Sequence, residues 1–291
     1  MKLGEIIDKF FEPPHPKGIS IDGNLVTLKP LVANQFAEEL FLSNAIDKEG
    51  NNWTYLPYGP FESQSEYASW VELFEERDDP VFFAIVSKKL NKAIGIASYL
   101  RINPTIGSIE VGHINYSPLL QKTTEATEAM YLMMKWAFEN GYRRYEWKCN
   151  ALNLRSRAAA QRFGFSYEGV FRQMTIVKGR NRDTAWFAMI DKEWQGIERC
   201  FNEFLSEINF DKKVTTVVNN SYELAKSYVA ELKPKDAFGN REKSLVKMIP
   251  TKLFLEQRIK PERGMQLSLD GQVVRVLSNS GGRTLIDFNN P

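Results

Sequence analysis

The chain is poor in the residues on which several protein classes depend. It has two cysteines and two histidines in 291 residues. Cys149 and Cys200 are too few for a disulfide framework or a zinc cluster, so the sequence predicts no metal centre and a reducing, cytoplasmic setting. No apolar run approaches the roughly 20 residues needed to cross a bilayer. Near the N-terminus, Glu5, Asp8 and Glu12 interrupt what a signal peptide would keep apolar, and the segment reads as mature sequence. Charge of neither sign dominates. The 38 Lys and Arg against 36 Asp and Glu leave a net charge of +2, so no global field argues for nucleic acid or an anionic membrane as partner.

What is present is an ordinary globular composition, 43% hydrophobic and 25% charged, in a length that suits one large domain or two smaller ones. Residues 1–18 read as a loosely attached arm, because Pro13, Pro14 and Pro16 prevent a helix from continuing; His15 is a solvated residue of that arm. Leu25–Leu31 is a short strand, and Asn34 is placed to cap a helix carrying Phe36, Leu40 and Phe41. Pro57, Gly59 and Pro60 break the aromatic segment Trp53–Phe61 into a loop, which is either packed core or an aromatic wall around a substrate. Ser63 or Ser65 caps the next helix. Strands follow at Val81–Ser87, Ala93–Ile102 and Ser108–Ser117. Next come a helix over Glu125–Asn140, a strand at Arg144–Cys149 and a short helix opened by Asn153. A hairpin (Val170–Val177 with Thr184–Ile190) and a closing helix complete the unit. This order predicts an α+β unit: a mixed, mostly antiparallel sheet with helices on both faces, ending near residue 208.

The stretch Ser108–Glu128 is its centre. Gly112 interrupts a β-branched strand, which suggests a bulge or the close approach of another backbone or a ligand. After Pro118 stops the strand, Gln121–Thr124 form a polar loop leading into a helix. Free amides at that helix start suit phosphate, although an ordinary strand–helix corner fits the same residues. Strict alternation puts Glu110 and Gly112 on one side of the strand and Val111 and His113 on the other. The two candidate bases share a surface only if a bulge at Gly112 resets the register.

The motifs EVGHINYS, TEAMYLMMKWAFE, YRRYEWKC, NLRSRAAAQRFGF and VKGRNRDTAWF together resemble the GNAT N-acetyltransferases, in particular the ribosomal-protein N-terminal acetyltransferase-like branch, over residues ~24–208. The resemblance implies the GNAT fold, acetyl-CoA as donor and transfer of its acetyl group to a primary amine, a protein N-terminus or a small molecule. It implies Glu110 as general base, with His113 as the competing base. Ile114, Asn115 and Tyr116 match the backbone that pairs with the pantetheine arm. Gln121, Lys122, Thr123, Thr124, Glu125 and Ala126 match the phosphate loop, with Thr124 in place of its middle glycine. Asn153 and Ser156 match an N-x-x-S pattern in which the asparagine binds coenzyme A and the serine assists the departing thiolate. The tyrosine that many members use as general acid falls at Ala160. For the acceptor, Trp53, Tyr55, Tyr58, Arg172 and Lys178 are the candidate wall, and no metal is implied.

Beyond a polar stretch at 209–226, residues 227–291 carry DAFG, PTKLF, GMQLSLDG and SNSGGRTLIDFNNP. These resemble the insert-in-flap segment of SlyD-like FKBP proteins, a small mostly-β domain. A hairpin turn at Asp270-Gly271, a turn at Gly281-Gly282 and a short helix at Thr251–Glu256 are expected. The resemblance implies unfolded peptides as a second class of partner, through apolar residues such as Met248, Ile249, Leu253, Phe254, Met265 and Leu267. It gives the alternative reading of a chaperone-like binding module beside a weak or inactive transferase. No prolyl isomerase activity is expected.

Overall fold

The structure, a computed structural model, describes residues 3–7 and 9–206 together with the backbone of strands at 246–250, 266–269, 272–280 and 283–287. The chain divides into two compact units, Met1–Gln195 and Gly196–Pro291. In chain order the first contains β1 (Ile21–Asp22), β2 (Val26–Pro30), α1 (Ala33–Asn44), α2 (Gln64–Glu75), β3 (Val81–Ser87), β4 (Lys92–Asn103) and β5 (Ser108–Tyr116). It continues with α3 (Thr124–Glu139), β6 (Arg144–Asn150), α4 (Leu154–Arg162), β7 (Ser166–Val177), β8 (Arg180–Ile190) and the start of α5 (Asp191–Phe204). The strands form one eight-stranded sheet in the order β1-β2-β3-β4-β5-β6-β8-β7. Only β5 and β6 pair in parallel; every other neighbouring pair is antiparallel. The mixed, mostly antiparallel sheet expected from the sequence is therefore present.

Both sheet faces are covered, and strand parity decides what lies on each. Phe82, Ala84 and Ile96 join Leu40 of α1, Tyr67, Trp70 and Val71 of α2, and Trp53 in one buried cluster. The opposite parity carries Phe83, Tyr99, Ile109 and Tyr145, all without solvent exposure. There the Tyr99 hydroxyl donates to the Met133 carbonyl of α3 at 2.6 Å. The α3 helix is buried along most of its length, which explains why its three methionines and three alanines leave so weak a polar stripe.

Local chemistry sets the element ends. Ser63 caps α2 by accepting from the Glu66 amide, as expected. Asn34 does not cap α1. The helix begins one residue earlier, and the Ala33 amide donates instead to the Glu75 carboxylate from α2. A tertiary acceptor has replaced the local one. Trp53 ends a 3₁₀ turn (Asn51–Trp53), so the aromatic loop is not wholly irregular. The hairpin strands β7 and β8 are longer than the sequence patterning marks, because their added residues are mostly polar and none is buried. In the arm, the Pro14 carbonyl accepts from the Tyr142 hydroxyl, and Glu5 pairs with Lys192.

In the second unit, β9 (Val246–Pro250), β10 (Gln266–Leu269), β11 (Gln272–Ser280) and β12 (Arg283–Asp287) form an antiparallel sheet in the order β10-β11-β12-β9. The expected hairpin and its following strand are present. The helix anticipated at Thr251–Glu256, the segment 209–226 and the candidate apolar side chains lie outside what is described.

One buried carboxylate ties the edge of the first sheet to α3. Glu128 accepts from the amides of Asn24, Leu25 and Val26 at 2.7–2.9 Å. The approach is so close that a β-carbon on Gly23 would stand 2.7 Å from Glu128 Oε2 and 2.6 Å from Leu132. Glu128→Ala would orphan three amides and is expected to cost about 3 kcal/mol. Denaturant unfolding checks this, and a change below about 0.5 kcal/mol would show that water replaces the carboxylate.

Candidate active site

The sheet opens in its middle. The strands β5 and β6 pair only from Ser108–Val111 with Arg144–Trp147, although β5 continues to Tyr116 and β6 to Asn150. On its other side β5 stays paired with β4, but Ser98 matches Gly112 while Ile96 matches Asn115. One extra residue is therefore accommodated at His113–Ile114, and His113 takes φ of 50°. This bulge bends β5 away from β6. The peptide groups of Gly112–Tyr116 on the β6 side are left without a strand partner. An unpaired, extended edge of this kind suits a ligand arm that carries its own amides.

The bulge also answers the parity question. Gly112 pairs with Ser98, and Ser98 with Phe82, so Glu110, Gly112 and Phe82 share a face. The His113 ring lies 5.1 Å from Phe82 and 5.6 Å from Tyr58, and its Nδ1 is hydrogen-bonded to the Tyr58 hydroxyl at 3.1 Å. Both candidate bases therefore stand on the same face, which strict alternation forbids.

Glu110 is almost fully buried. Arg101 and Lys148 both donate to its Oε2, each at 2.8 Å. Its Oε1 has no partner among the described residues and points towards Gly112, 3.7 Å from where a β-carbon would stand. Burial raises the Glu110 pKa, with Lys148 and then Arg101 opposing. Lys148 is itself buried, pairs with Glu146 at 2.6 Å and lies 3.9 Å from the Trp186 ring centre. Arg144 extends the chain of ion pairs from Glu146 to Glu168. Arg101 is held in a left-handed backbone conformation, φ 48°, by Asp79, which accepts from the amides of Arg101 and Ile102 at 3.0 Å. His113 is pushed down to about 4 by burial and then by Arg101 and Arg182. It is neutral at physiological pH and a weak base.

On the opposite face, Trp147 and Cys149 of β6 meet the start of α4. Asn153 caps that helix by accepting from the Ser156 amide, and Ser156 Oγ accepts from Trp147 Nε1 at 3.0 Å. Burial raises the pKa of the Cys149 thiol, and the nearby Ser156 opposes this. Ala160 is fully buried, so no hydroxyl comes from that position. At the start of α3, Thr123 Oγ1 takes the Ala126 amide. Helix geometry leaves the Thr124 and Glu125 amides without intrahelical partners. Lys122 is exposed beside them with φ 61°. Neither nearby carboxylate is free. Glu125 accepts from the Ser87 hydroxyl, and Glu128 is committed to the three amides of the β1–β2 edge. Gln121 is committed too, donating to Asn52 at 2.6 Å and to the Tyr116 carbonyl at 2.8 Å. Its side chain buttresses the loop. The Asn115 side-chain amide is buried without a partner among the described residues.

The expected aromatic wall divides. Trp53 is a core residue, edge-on to Tyr58, Phe61 and Tyr67. Tyr55 is partly exposed and donates to the Leu152 carbonyl at 3.2 Å. Tyr58 alone reaches the candidate bases. Lys178, from the β7–β8 turn, donates to the carbonyls of Trp53 and Gly59 and fixes this loop. Arg172 is exposed on β7 and makes none of these contacts. Sequence reasoning missed Arg101, Lys148, Cys149 and Arg182. Only Lys148 left a signal, a cation two positions after Glu146 in a strand otherwise read as buried.

Residues 26–166 match the model of the acetyltransferase (GNAT) domain, and residues 247–291 that of the FKBP26, IF domain. No curated protein sequence matches the chain. Among solved structures, a GCN5-related N-acetyltransferase from Brucella melitensis is 40% identical, with 71% of this chain and 94% of that one covered at a TM-score of 0.69. A GNAT-family protein from Chromobacterium violaceum is 39% identical, with 67% and 98% covered and a TM-score of 0.63. The self-immunity acetyltransferase MccE, solved with acetyl-CoA and AMP, is 22% identical, with 58% and 93% covered and a TM-score of 0.51; at that identity it is a likeness of fold. With a relative at 40% identity matched over nearly its whole length, and the split sheet that the same residues build, the chain belongs to the GNAT acetyltransferase family.

Proposed function

We propose that the chain transfers an acetyl group from acetyl-CoA to a primary amine by direct attack within a ternary complex. The observation that carries this reading is the opening between β5 and β6, with a buried carboxylate on one face and the Ser156 hydroxyl, held by Trp147, on the other. Acetyl-CoA supplies an activated acyl group on a thiolate leaving group. The unpaired edge at Ile114–Tyr116 offers hydrogen bonds to its pantetheine arm, and one amide there is available to an oxyanion. The free amides of Thr124 and Glu125, with Lys122, suit its phosphates. Asn153 orders the α4 start, where the Ser156 hydroxyl, oriented by Trp147, is positioned to protonate the departing sulfur. Glu110 Oε1 accepts the proton of the incoming amine, while Oε2 anchors the group. Tyr58 borders the acceptor side.

The motif NLRSRAAAQRFGF supports placing the chain near the ribosomal-protein N-terminal acetyltransferase-like branch, with a protein N-terminus or a small amine as acceptor. The match over residues 247–291 supports a second reading, in which the segment 227–291 adds a peptide-binding function.

Glu110→Gln should lower kcat by about 100-fold or more while calorimetry finds acetyl-CoA affinity unchanged. His113→Phe should retain most of the activity. The reverse order of effects would make His113 the base. The wild-type kcat/KM should fall as pH drops through the raised Glu110 pKa, with its acid limb above the ordinary carboxylate range. Lys148 favours the ionised carboxylate, so Lys148→Met should move this limb to higher pH. An unmoved limb would separate the lysine from the base.

A further inference from the structure

Arg182 stands on the acid–base face without a counter-ion. It lies in β8 two residues before Thr184 and four before Trp186, which pair with Asn150 and Lys148. Parity therefore puts its side chain on the same face as Lys148 and Glu110. The guanidinium is half-buried and makes no hydrogen bond or ion pair among the described residues. Its Nε is fully buried with no acceptor.

The carboxylates of this face and of its own strand are committed elsewhere. Asp183 accepts from the Gln173 amide at 2.7 Å and from Asn181 at 2.9 Å. Glu110 is shared by Arg101 and Lys148, and Glu146 by Arg144 and Lys148. Trp186 Nε1, on the same face, is a second buried donor without an acceptor, its ring held between Lys148 and Phe171. Burial presses hardest on the Arg182 charge; Cys149 and then Glu110 favour it at a distance, and Arg101 opposes it. A guanidinium cannot relieve this by losing its proton. A buried donor left unmade is costly, so a face with donors in excess calls for a ligand that brings acceptor oxygens.

We propose that Arg182 forms an anion subsite for the acetyl acceptor, so that the amine substrate also carries a carboxylate or phosphate group. The proposal rests on the acetyl-transfer reading for the identity of the ligand as an acceptor. Arg182 contributes binding and orientation, with the amine end directed to Glu110 on the same face.

The test is ligand-observed NMR on the full chain with saturating coenzyme A. One arm compares an equimolar mixture of the α-amino acids with the same mixture as carboxamides, and the other compares O-phosphoethanolamine with ethanolamine. At least one anionic amine should bind roughly ten-fold or more tightly than its neutral counterpart, and the arm that responds identifies the anion. Arg182→Met should abolish the preference and Arg182→Lys should retain part of it, with acetyl-CoA affinity unchanged in both. Equal binding of neutral partners, no binding of any anionic amine, or a preference that survives Arg182→Met would overturn the subsite. Weakened acetyl-CoA binding in both variants would overturn it too, by assigning the arginine to the donor. Acetyl transfer is measured on the same mixtures. A preference in binding without transfer would keep the subsite and remove the acetyl-transfer reading, whereas transfer to neutral amines alone would do the reverse.

Discussion

The site depends on one interruption in backbone pairing. A continuous sheet would satisfy every peptide group of β5 and seal its two faces from each other. The extra residue at His113–Ile114 ends the pairing with β6 after Val111 while pairing with β4 is kept. Two consequences follow from the same residue. Donor and acceptor groups along His113–Asn115 become available to a ligand, and the parity of the strand resets so that His113 joins Glu110. The opening also joins the faces of the sheet, which carry different chemistry. Cys149 and Ser156 belong to the face covered by α3 and α4. Glu110, Lys148, His113 and Arg182 belong to the other.

Burying charge near such an opening requires compensation, and the arrangement of that compensation is informative. Glu110 is paired twice, but through one oxygen only. Its ion pairs hold the group in place and oppose the rise in pKa caused by burial, while the second oxygen remains available to a proton. A carboxylate satisfied on both oxygens is instead structural. Glu128 illustrates this, with three amides sharing its two oxygens at the edge of the sheet. The two glutamates are similarly buried and differ in what is left over. Arg182 inverts the case, a cation whose possible partners are already occupied.

Much of the fold was legible because its signals are local. The β-branched strands and the Ser63 and Asn153 caps follow from near-neighbour chemistry. Gly112 pointed to the bulge within one residue, although the strained position is His113. What sequence reasoning missed depends on contacts between distant segments. Glu75 caps α1 from another helix, Lys178 fixes the aromatic loop from a turn more than a hundred residues away, and Arg101 reaches Glu110 through a conformation imposed by Asp79. The phosphate-loop motif nominated Gln121, and the aromatic loop Trp53, for contact with ligands, but one is engaged by Asn52 and the other by the core. A motif registers residue type and spacing, and it is blind to whether the side chain is already occupied.

Hydrogen–deuterium exchange with and without acetyl-CoA addresses the central claim directly, because it reads backbone amides one segment at a time. If the donor lies along the opened strand, binding should slow exchange at Ile114–Tyr116 and at Thr124–Ala126 together, with the paired segment Ser108–Val111 unaffected. Saturable binding that protects other amides and leaves Ile114–Tyr116 unchanged would contradict the account, and the opening between β5 and β6 would not be the donor site.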